Sequence, residues 1–348
     1  MSGFSAHLIY KGTSIKNALK QLNQLAQDNI LFVVDVDNKL IGSLTDGDVR
    51  RGLLQDILID SPIDGIIQPN PKYIRKGNHN IKSVINFRKN NFRIIPIIDE
   101  LDQVVDVINF RKIWSYLPID AVLMAGGKGE RLMPLTANLP KPLLKVGDKP
   151  IIEHNINRLS YFGIKDLWIS INYLGDLIEK YFGDGKEKGL SINYVNEDRP
   201  LGTIGSISQI NEFKHNYILV SNSDILTNLD YEQFFLEFIE SGADLGVVTI
   251  PYQVNIPYAV LETKNSIVLD FKEKPTYTYY SNGGIYLFKR EVLNYIPFNS
   301  HFNATDLMEA LIKANKKVFS YPLIGYWLDI GNPQDYERAN SDILNIKF

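Results

Sequence analysis

A short glycine-rich loop followed by two basic residues has the composition of a polyphosphate site. The loop contains Gly126, Gly127 and Gly129, and it is followed by Arg131 and, ten residues later, by Lys141. Because glycine has no Cβ, the backbone N–H groups of such a loop can close around an anion. The Arg131 guanidinium can bind two oxygens at once, and Lys141 adds a mobile point charge. Together they predict a site for a polyphosphate.

Two other interpretations compete for this loop. A lone Gly-x-Gly is usually only a turn. The loop also matches the start of a dinucleotide-binding fingerprint, Gly-x-Gly-x-x-Gly, but Leu132 occupies its third glycine position. The continuation P-L-T-x-x-x-P-K-P-L-L, from Pro134 to Leu144, is not expected of a dinucleotide site.

This continuation resembles the signature of the sugar-1-phosphate nucleotidyltransferases, the nucleotide-sugar pyrophosphorylases. The resemblance implies catalytic roles on phosphates for Arg131 and Lys141. It implies nucleotide binding by the loop residues Ala125, Gly126, Gly127 and Gly129. Glu130 departs from the pattern, since many members carry Thr or Ser there. Four motifs in the family's order extend the resemblance over about residues 119–345.

The elements around these motifs predict a mostly parallel sheet covered by helices. Apolar strand-like runs alternate with helical patterns, and the clearest strands are 121–124, 167–171, 192–195 and 217–224. Helices are predicted over 151–162 and 174–182. Because ligands of such Rossmann-like α/β folds bind at the carboxyl ends of strands, the polar residues there are expected to share one site.

The segment Glu197 to Ser206, EDRPLGTIGS, follows one of these strands. The resemblance places its family counterpart beside the nucleobase and phosphates, which implies nucleotide binding by Glu197, Gly202 and Thr203. The competing interpretation is a helix start at which Thr203 is the cap.

Two aspartates are the candidate metal ligands. Asp224 follows the strand that begins at Tyr217, and Asp329 lies in the sequence YWLDIGNPQDY. The resemblance implies that both hold a catalytic Mg²⁺, a hard cation that prefers carboxylate and phosphate oxygens. Ser223 replaces the glycine that the family usually has before the first aspartate. A solvated aspartate after a strand is the alternative for Asp224.

Three residues are implied to bind the sugar phosphate. Glu273-Lys274-Pro275 matches the family's E-K-P segment, and Asn282 begins a second segment on the sugar side. Lys274 would neutralise the phosphate, and Glu273 would accept hydrogen bonds from sugar hydroxyls. A charged surface hairpin is the alternative. Ala259 replaces a common glycine, which leaves the sugar's identity open.

The first third of the chain has a duplicated pattern of helix, strand, turn and strand. The first copy comprises helix 15–25 and strands 30–36 and 40–44, and the second comprises helix 81–87 and strands 94–99 and 104–108. This duplicated α+β pattern resembles a pair of CBS domains. Because Pro118 ends the preceding helix, we expect a CBS pair over 1–118 for regulation or oligomerisation and a transferase domain over 119–348.

The phrase IGSLTDGDVRRGLL carries the clearest part of the CBS resemblance. It implies that Thr45 and Asp48 bind the phosphate and ribose of a regulatory adenine or guanine nucleotide. The alternative is that both residues only cap a helix. The second copy has Val107-Ile108-Asn109-Phe110 at this place, so one nucleotide site, or none, is expected.

Composition excludes several other classes. The 348 residues suffice for two domains, and 45% hydrophobic and 22% charged residues are ordinary for a globular protein. A net charge of −3 without a basic run gives no indication of nucleic-acid binding. Without cysteine there is neither a disulfide framework nor a thiolate site. No signal peptide or membrane-spanning run is recognisable, so we expect a cytoplasmic protein.

The sequence therefore predicts transfer of a nucleotidyl group from an NTP to a sugar 1-phosphate. GTP is favoured, with glucosamine 1-phosphate or mannose 1-phosphate as acceptor, because the motifs resemble guanylyltransferases. The CBS fusion resembles the guanylyltransferases of bacterial legionaminic (nonulosonic) acid synthesis, whose acceptor is glucosamine 1-phosphate. We also expect a homodimer, since both domain types tend to self-associate.

Three alternatives stay open. The nucleotide could be dTTP, UTP or CTP. The chain could be a glycosyltransferase, although that class normally shows Asp-x-Asp where Asn222-Ser223-Asp224 stands. It could also be a CBS-type nucleotide sensor with an inactive transferase domain.

Overall fold

The structure is a computed structural model that describes residues 4–77 and 79–346. The chain forms two compact units, of which one comprises Met1–Pro118 with Ser160–Ile164 and the other Ile119–Leu159 with Lys165–Phe348. In the described ranges, every helix is too short or too polar to cross a membrane.

The first unit contains two small sheets and three helices in its described part. Its helices are α1 (Ile15–Leu25), α2 (Asp46–Leu53) and α3 (Ile81–Lys89). Its strands are β1 (Leu8–Tyr10), β2 (Ile30–Val34), β3 (Leu40–Thr45), β4 (Gln68–Pro69), β5 (Ile74–Arg75), β6 (Ile94–Ile98) and β7 (Val104–Asn109). One sheet has the order β1-β2-β3-β4, and the other has the order β5-β6-β7.

The duplicated pattern is therefore present as α1-β2-β3 and α3-β6-β7. The first predicted strand ends at Val34, two residues early, because the Asp35 carboxylate accepts hydrogen bonds from the backbone N–H groups of Asp37 and Lys39 and forms a turn. The two halves pack through buried Val34 and Ile98, among others, within one apolar cluster.

The second unit has a central sheet with helices. Its helices are α4 (Ile151–Tyr161), α5 (Gly175–Phe182), α6 (Tyr231–Ser241), α7 (Ala304–Lys313) and α8 (Pro333–Asp342). Its first strands are β8 (Ile119–Met124), β9 (Lys145–Val146), β10 (Lys149–Pro150), β11 (Asp166–Ile171), β12 (Ser191–Asn196), β13 (Tyr217–Asn222) and β14 (Ile225–Thr227). The later strands are β15 (Leu245–Asn255), β16 (Val260–Lys264), β17 (Ile267–Lys272), β18 (Thr276–Lys289), β19 (Val318–Pro322) and β20 (Trp327–Asp329).

The central sheet is mostly parallel, as the sequence predicts. Its seven strands have the order β12-β11-β8-β13-β18-β15-β19. Within it, β18 is antiparallel to both of its neighbours, and the other neighbouring pairs are parallel. Fully buried side chains such as Phe234, Phe238 and Phe288 pack in the core of this unit. The carboxyl ends of β8, β11 and β13 therefore lie at one edge, where motif residues follow each strand.

A long ribbon extends β15 and β18 past the sheet. These strands stay paired from Thr249–Asn282 to Asn255–Thr276, and the hairpin β16–β17 lies between them in the chain. We call residues 250–281 the arm. Part of the arm is predicted from the sequence to be a sugar-binding segment, with a charged surface hairpin as the alternative. The structure shows a hairpin whose exposed residues include many large apolar ones.

Candidate active site

The glycine loop follows β8 and needs glycine for two separate reasons. At Gly126, a Cβ would lie 3.1 Å from Glu197 Oε1, so the backbone passes close to that side chain. Gly129 has a φ of +63°, and a Cβ there would lie 3.0 Å from the Cβ of Lys141. A Cβ on Gly127 would meet no heavy atom within 4 Å. The loop thus has one open face, at Gly127.

Lys141 lies beneath this loop. It starts a short 3-10 helix, Lys141–Leu143, after Pro140, and the residue is only 8% exposed. Its ammonium forms an ion pair with Asp224 Oδ2 and lies 3.9 Å from Asp329 Oδ1. A buried lysine requires such a partner, because an unpaired buried charge is costly. The pairing fixes the ammonium between the two aspartates.

A short antiparallel ladder brings these two aspartates together from distant parts of the sequence. Strands β14 and β20 pair with Ile225 opposite Asp329, and the Ile330 N–H donates to the Asp224 carbonyl at 3.1 Å. Asp224 Oδ1 and Asp329 Oδ1 are buried and, within the described part of the chain, have no hydrogen-bond partner.

The electrostatics of this pair favour a bound cation. Burial raises the pKa of Asp329, and the charge of Asp224 raises it further, against the opposing effect of Lys141 and Arg131. Two buried carboxylate oxygens that lack donors have the chemistry of ligands for a hard divalent cation. The chemistry of Asp224 and Asp329 therefore fits a metal, whose binding there stays a prediction, and Lys141 compensates part of their charge.

Arg131 lies near the same group but outside the cavity described below. Its side chain is exposed, and its guanidinium packs against Gly331, where an added Cβ would be 3.3 Å from Arg131 Nη2. Gly331 thus leaves space for the arginine next to the Asp329 motif. This position leaves the guanidinium free to meet an anion that approaches from solvent.

Glu197 organises the wall opposite Lys141. It is 9% exposed, and its two carboxylate oxygens accept hydrogen bonds from Ser170 Oγ at 2.6 Å and from the Leu201 N–H at 3.0 Å. Both oxygens therefore have protein partners. The carboxylate holds the start of the Leu201-Gly202-Thr203 segment in place.

The Gly202–Thr203 segment packs against the start of α7. Gly202 has a φ of +79°, and a Cβ there would lie 2.7 Å from the Phe302 carbonyl oxygen. The Thr203 hydroxyl accepts a hydrogen bond from the Ala304 N–H at 2.8 Å. Thr203 thus helps to cap a helix, but that helix is α7, about a hundred residues further along the chain.

These parts enclose a cavity of about 310 Å³. Eight of the residues that the sequence singled out line it; they are Ala125, Gly126, Gly127, Lys141, Glu197, Gly202, Thr203 and Asp224. Other lining residues, among them Asn222, Ser223 and His301, have no site role predicted from the sequence. Asn222 and Ser223 could have been found because they end the strand before Asp224. His301 lies in an irregular segment that no motif marks.

The predicted sugar-phosphate residues lie elsewhere. Glu273 and Lys274 belong to the exposed arm, and neither is among the described residues that line the cavity. Asn282 lies at the base of the arm, where its Oδ1 accepts from the Gly284 N–H at 3.0 Å. Gly284 borders the cavity residue Asn222, since a Cβ on it would lie 2.8 Å from Asn222 Nδ2.

A second group of possible metal ligands lies at the opposite edge of the sheet. The ligand atoms of Asp120, Asp166 and His215 are within 4.8 Å of one another. Asp120 and Asp166 lie near the amino ends of β8 and β11, away from the cavity. Burial alone would raise the pKa of Asp166, but hydrogen bonds from His215 and Lys214 outweigh it and lower the pKa to about 2. Asp166 is thus held by protein partners, whereas Asp120 Oδ1 and His215 Nδ1 are buried without a hydrogen-bond partner among the described residues.

In the first unit, Thr45 and Asp48 form a capping box at the start of α2. Asp48 is 3% exposed, and Oδ2 accepts from the Thr45 N–H at 2.8 Å and from its hydroxyl at 2.6 Å. Oδ1 accepts from Arg51 and, at 2.8 Å, from Gln68 Nε2. Burial alone would raise the pKa of Asp48, but these hydrogen bonds lower it. Nucleotide binding here stays a prediction that requires a ribose to displace Arg51 or Gln68.

Two parts of the chain match known protein families. Residues 120–346 match the family described as nucleotidyl transferase. The chain belongs to this family. Residues 6–55 match the CBS domain. Members of the nucleotidyl transferase family generally use a divalent metal, in keeping with the buried carboxylate oxygens of Asp224 and Asp329.

Several relatives act on sugar phosphates. Mannose-1-phosphate guanylyltransferase of Mycobacterium tuberculosis is 34% identical over 235 residues, which are 65% of this chain and 65% of that protein. The chain thus spans just under two thirds of that relative. D-glycero-alpha-D-manno-heptose 1-phosphate guanylyltransferase of Aneurinibacillus thermoaerophilus is 30% identical over 65% of this chain and 98% of its own length.

A solved structure has the same fold. It is a putative glucose-1-phosphate thymidylyltransferase from Bacillus anthracis in complex with a sucrose, with 26% identity and a TM-score of 0.54. The match covers 66% of this chain and 97% of that chain. The fold of the second unit is therefore that of a sugar nucleotidyltransferase.

Proposed function

We propose that this chain transfers a nucleotidyl group from an NTP to a sugar 1-phosphate and releases pyrophosphate. The observation that carries the proposal is the group of Lys141, Asp224 and Asp329 beside an open glycine loop. Within the described residues, this group offers two carboxylate oxygens without donors next to a cation, at the sheet edge where α/β folds bind nucleotides.

The reaction forms one P–O bond and breaks another. A phosphate oxygen of the sugar 1-phosphate attacks the α-phosphorus of the NTP. The bond from that phosphorus to the oxygen that bridges to the β-phosphorus breaks, and pyrophosphate leaves with the electron pair. Because the attacking oxygen is already anionic at neutral pH, no side-chain base is needed. Positioning and electrostatic stabilisation supply the catalysis.

Different cationic and backbone groups of the chain bind different phosphates. The loop amides and Arg131 hold the β- and γ-phosphates, and Lys141 stabilises charge on the α-phosphate. Asp224 and Asp329 would hold Mg²⁺, which would neutralise phosphate charge when bound. Glu197 orients the Leu201–Thr203 wall beside the nucleotide. Lys274 neutralises the phosphate of the sugar.

GTP is the proposed nucleotide, and glucosamine 1-phosphate or mannose 1-phosphate the proposed acceptor. Two relatives of this chain carry guanylyltransferase names, and one acts on mannose 1-phosphate by its name. The CBS domain before the transferase favours glucosamine 1-phosphate and a role in bacterial surface-glycan or legionaminic acid synthesis, by the resemblance described above. The uridylyltransferase name of a Synechocystis relative, 30% identical over 245 residues, keeps UTP as the runner-up.

The decisive experiment is an assay of pyrophosphate release. Each of GTP, dTTP, UTP, CTP and ATP is combined with a panel of sugar 1-phosphates and Mg²⁺, and the nucleotide sugar is identified by mass spectrometry. We expect the largest kcat/KM for GTP with glucosamine 1-phosphate or mannose 1-phosphate. Release with another NTP alone would reassign the base. No release with any pair would support the sensor with an inactive transferase domain.

A further inference from the structure

Asp120, Asp166 and His215 form a compact group at the amino ends of three neighbouring strands. Asp120 is the second residue of β8, Asp166 is the first residue of β11, and His215 lies two residues before the start of β13. In the central sheet, β8 lies between β11 and β13. Asp166 is the register partner of Asp120, and partners on neighbouring strands point to the same face of the sheet. One ligand atom from each of the three residues lies within 4.8 Å of the other two.

The carboxylate of Asp120 has one oxygen that receives no hydrogen bond. The residue is only 1% exposed, and its Oδ2 accepts from the His215 N–H at 2.7 Å. Its Oδ1 is buried and has no hydrogen-bond partner among the described residues. The lysine of this group, Lys214, pairs with Asp166 instead. Because a buried carboxylate oxygen without a donor is costly, Oδ1 indicates a partner that the described chain does not supply.

The imidazole of His215 also has an unsatisfied atom. Its Nε2 lies 3.5 Å from Asp166 Oδ2, and its Nδ1 is buried with no hydrogen-bond partner in the part of the chain that the structure describes. Because no hydrogen bond at Nδ1 fixes the tautomer, Nδ1 can carry the hydrogen and Nε2 can offer its lone pair. A ring protonated at both nitrogens would not satisfy the group, since Asp120 Oδ1 would still lack a donor.

The spacing of these side chains suits ligands of one metal ion. The 3.5 Å between His215 Nε2 and Asp166 Oδ2 is long for an N–H···O hydrogen bond, which is usually about 2.7 to 3.2 Å. Two ligand atoms of a tetrahedral ion with bonds of about 2.1 Å lie roughly 3.4 Å apart. The side chains of His215 and Asp166 are 16% and 24% exposed, which leaves an entry path from solvent and room for a water as a further ligand.

We propose that Asp120, Asp166 and His215 bind a divalent transition-metal ion, with Zn²⁺ preferred, at the sheet edge opposite the cavity. Carboxylate oxygens and an imidazole nitrogen are ligands of Zn²⁺, whereas Mg²⁺ prefers oxygen ligands such as the pair Asp224 and Asp329. The ion would join the amino ends of β8 and β11 to the segment before β13. Its role is to stabilise the sheet whose other edge carries the candidate active site, and this role is independent of the proposed function.

Calorimetric titration of the tag-free full chain with Zn²⁺ tests the site. The parent carries Asp224→Asn and is kept in excess Mg²⁺, so that the cavity does not contribute. We expect one Zn²⁺ per chain, and at least about tenfold weaker binding after Asp120→Asn, because loss of even an outer partner of a metal ligand typically costs about 10- to 100-fold. The control is Asp184→Asn, which removes an exposed carboxylate paired with Lys186 and should bind as the parent does. No Zn²⁺ uptake by the parent, or equal uptake after Asp120→Asn, would overturn the proposal.

X-ray absorption at the zinc edge identifies the ligands directly. In the same Asp224→Asn parent, we expect imidazole scattering and a first shell of nitrogen and oxygen at about 2.0 to 2.2 Å. His215→Asn should remove the imidazole scattering. A roughly 100-fold excess of Mg²⁺ should leave the spectrum unchanged, because Mg²⁺ does not favour an imidazole ligand. Imidazole scattering that persists in His215→Asn would assign the Zn²⁺ to another histidine and refute the site.

Thermal unfolding tests the stabilising role without depending on any transferase activity. Free Zn²⁺ at about 100 times its Kd should raise the Tm of the wild-type chain by roughly 5 °C relative to the same chain with a chelator. Asp120→Asn should show no such shift, and circular dichroism with chelator present shows whether this variant is folded. Should it not fold, His215→Asn replaces it in the same comparison. A wild-type Tm that Zn²⁺ leaves unchanged, or an equal shift in a folded variant, would contradict the proposal.

Discussion

Asp224 and Asp48 occupy similar places in the two units, but their carboxylates differ in how many hydrogen-bond donors they have. Each follows a strand and was predicted from a motif to bind a ligand. Asp48 accepts hydrogen bonds from Thr45, Arg51 and Gln68 with its two oxygens. Asp224 pairs with Lys141 through one oxygen, and its other oxygen is buried with no donor in the part of the chain that the structure describes.

The difference separates a carboxylate that stabilises the fold from one that is prepared for a ligand. Buried polar atoms in folded proteins normally have partners, so an unpartnered oxygen indicates a missing one. A saturated carboxylate must lose existing hydrogen bonds before it can bind anything. On this ground, Asp224 has a free ligand position and Asp48 does not.

The largest effect is expected for Asp224→Asn. The substitution removes the negative charge from the metal-binding pair but retains the size of the side chain. Turnover should fall by at least about 100-fold, because several kcal/mol of charge stabilisation are lost. Circular dichroism should show an unchanged fold. Near-normal turnover at ordinary Mg²⁺ concentrations would remove Asp224 from the site.

Arg131→Ala and Lys141→Ala sharpen the assignment of the phosphate-binding groups. Each should lower kcat by roughly 100-fold, since preorganised charge on the transferring group is the main catalytic device. Lys145→Ala, an exposed lysine on β9, is the control and should keep its activity. If the first two variants only raise the KM for NTP, both residues act on the ground state, and their transition-state role is refuted.

Asp48→Ala tests whether the Asp48 carboxylate stabilises the fold. Loss of a buried, ionised acceptor leaves the donors of Thr45 and Gln68 unpaired, so we expect unfolding to become easier by about 2 to 3 kcal/mol. Asp46→Ala on the same helix removes an exposed ion pair with Arg50 and should cost less than about 1 kcal/mol. Denaturant unfolding of both variants provides the measurement.

A nucleotide titration of the full chain completes that test. Suppose that Asp48→Ala abolishes nucleotide binding in calorimetry and leaves the free energy of unfolding unchanged. Asp48 would then be a ligand-binding residue in spite of its saturated carboxylate, and the comparison would fail.

The smallest effect is expected for Asp166→Asn and depends on pH. The folded-state pKa of about 2 lies below the usual 3.8, so the ionised form is favoured by folding. This stability, about 2 kcal/mol, is present above pH 4 and is lost as the pH falls from about 4 to 2. Wild type and variant should therefore differ at pH 7 and converge towards pH 2. A difference that is equal at both pH values would contradict the assignment.

Most of the sheet was predictable from the sequence because its strands are continuous apolar runs. Strand β11 begins one residue earlier than predicted, and β12 begins one residue earlier and ends one residue later. The arm was not predictable in the same way. Leu261, Val268 and Phe271 follow the pattern of a half-buried strand, and only the tertiary structure shows that nothing in the described part of their own chain covers them.

The sequence also could not distinguish the two aspartates. Whether a carboxylate is saturated depends on donors that the fold supplies, such as Gln68 for Asp48, twenty residues away. The pairing of Asp224 with Asp329 arises from the β14–β20 ladder, which joins segments about a hundred residues apart. His301 reaches the cavity through the segment before α7 and has no motif of its own.

Binding of Mn²⁺ as a probe shows whether Asp224, and not Asp48, is a metal ligand. Electron paramagnetic resonance measures free Mn²⁺ during titration of the full chain with GTP present, for wild type, Asp224→Asn and Asp48→Ala. Carboxylate and phosphate oxygens suit Mn²⁺ as they suit Mg²⁺. We predict a site that Asp224→Asn weakens at least about tenfold and that Asp48→Ala leaves unchanged. Equal Mn²⁺ binding by wild type and Asp224→Asn would contradict it.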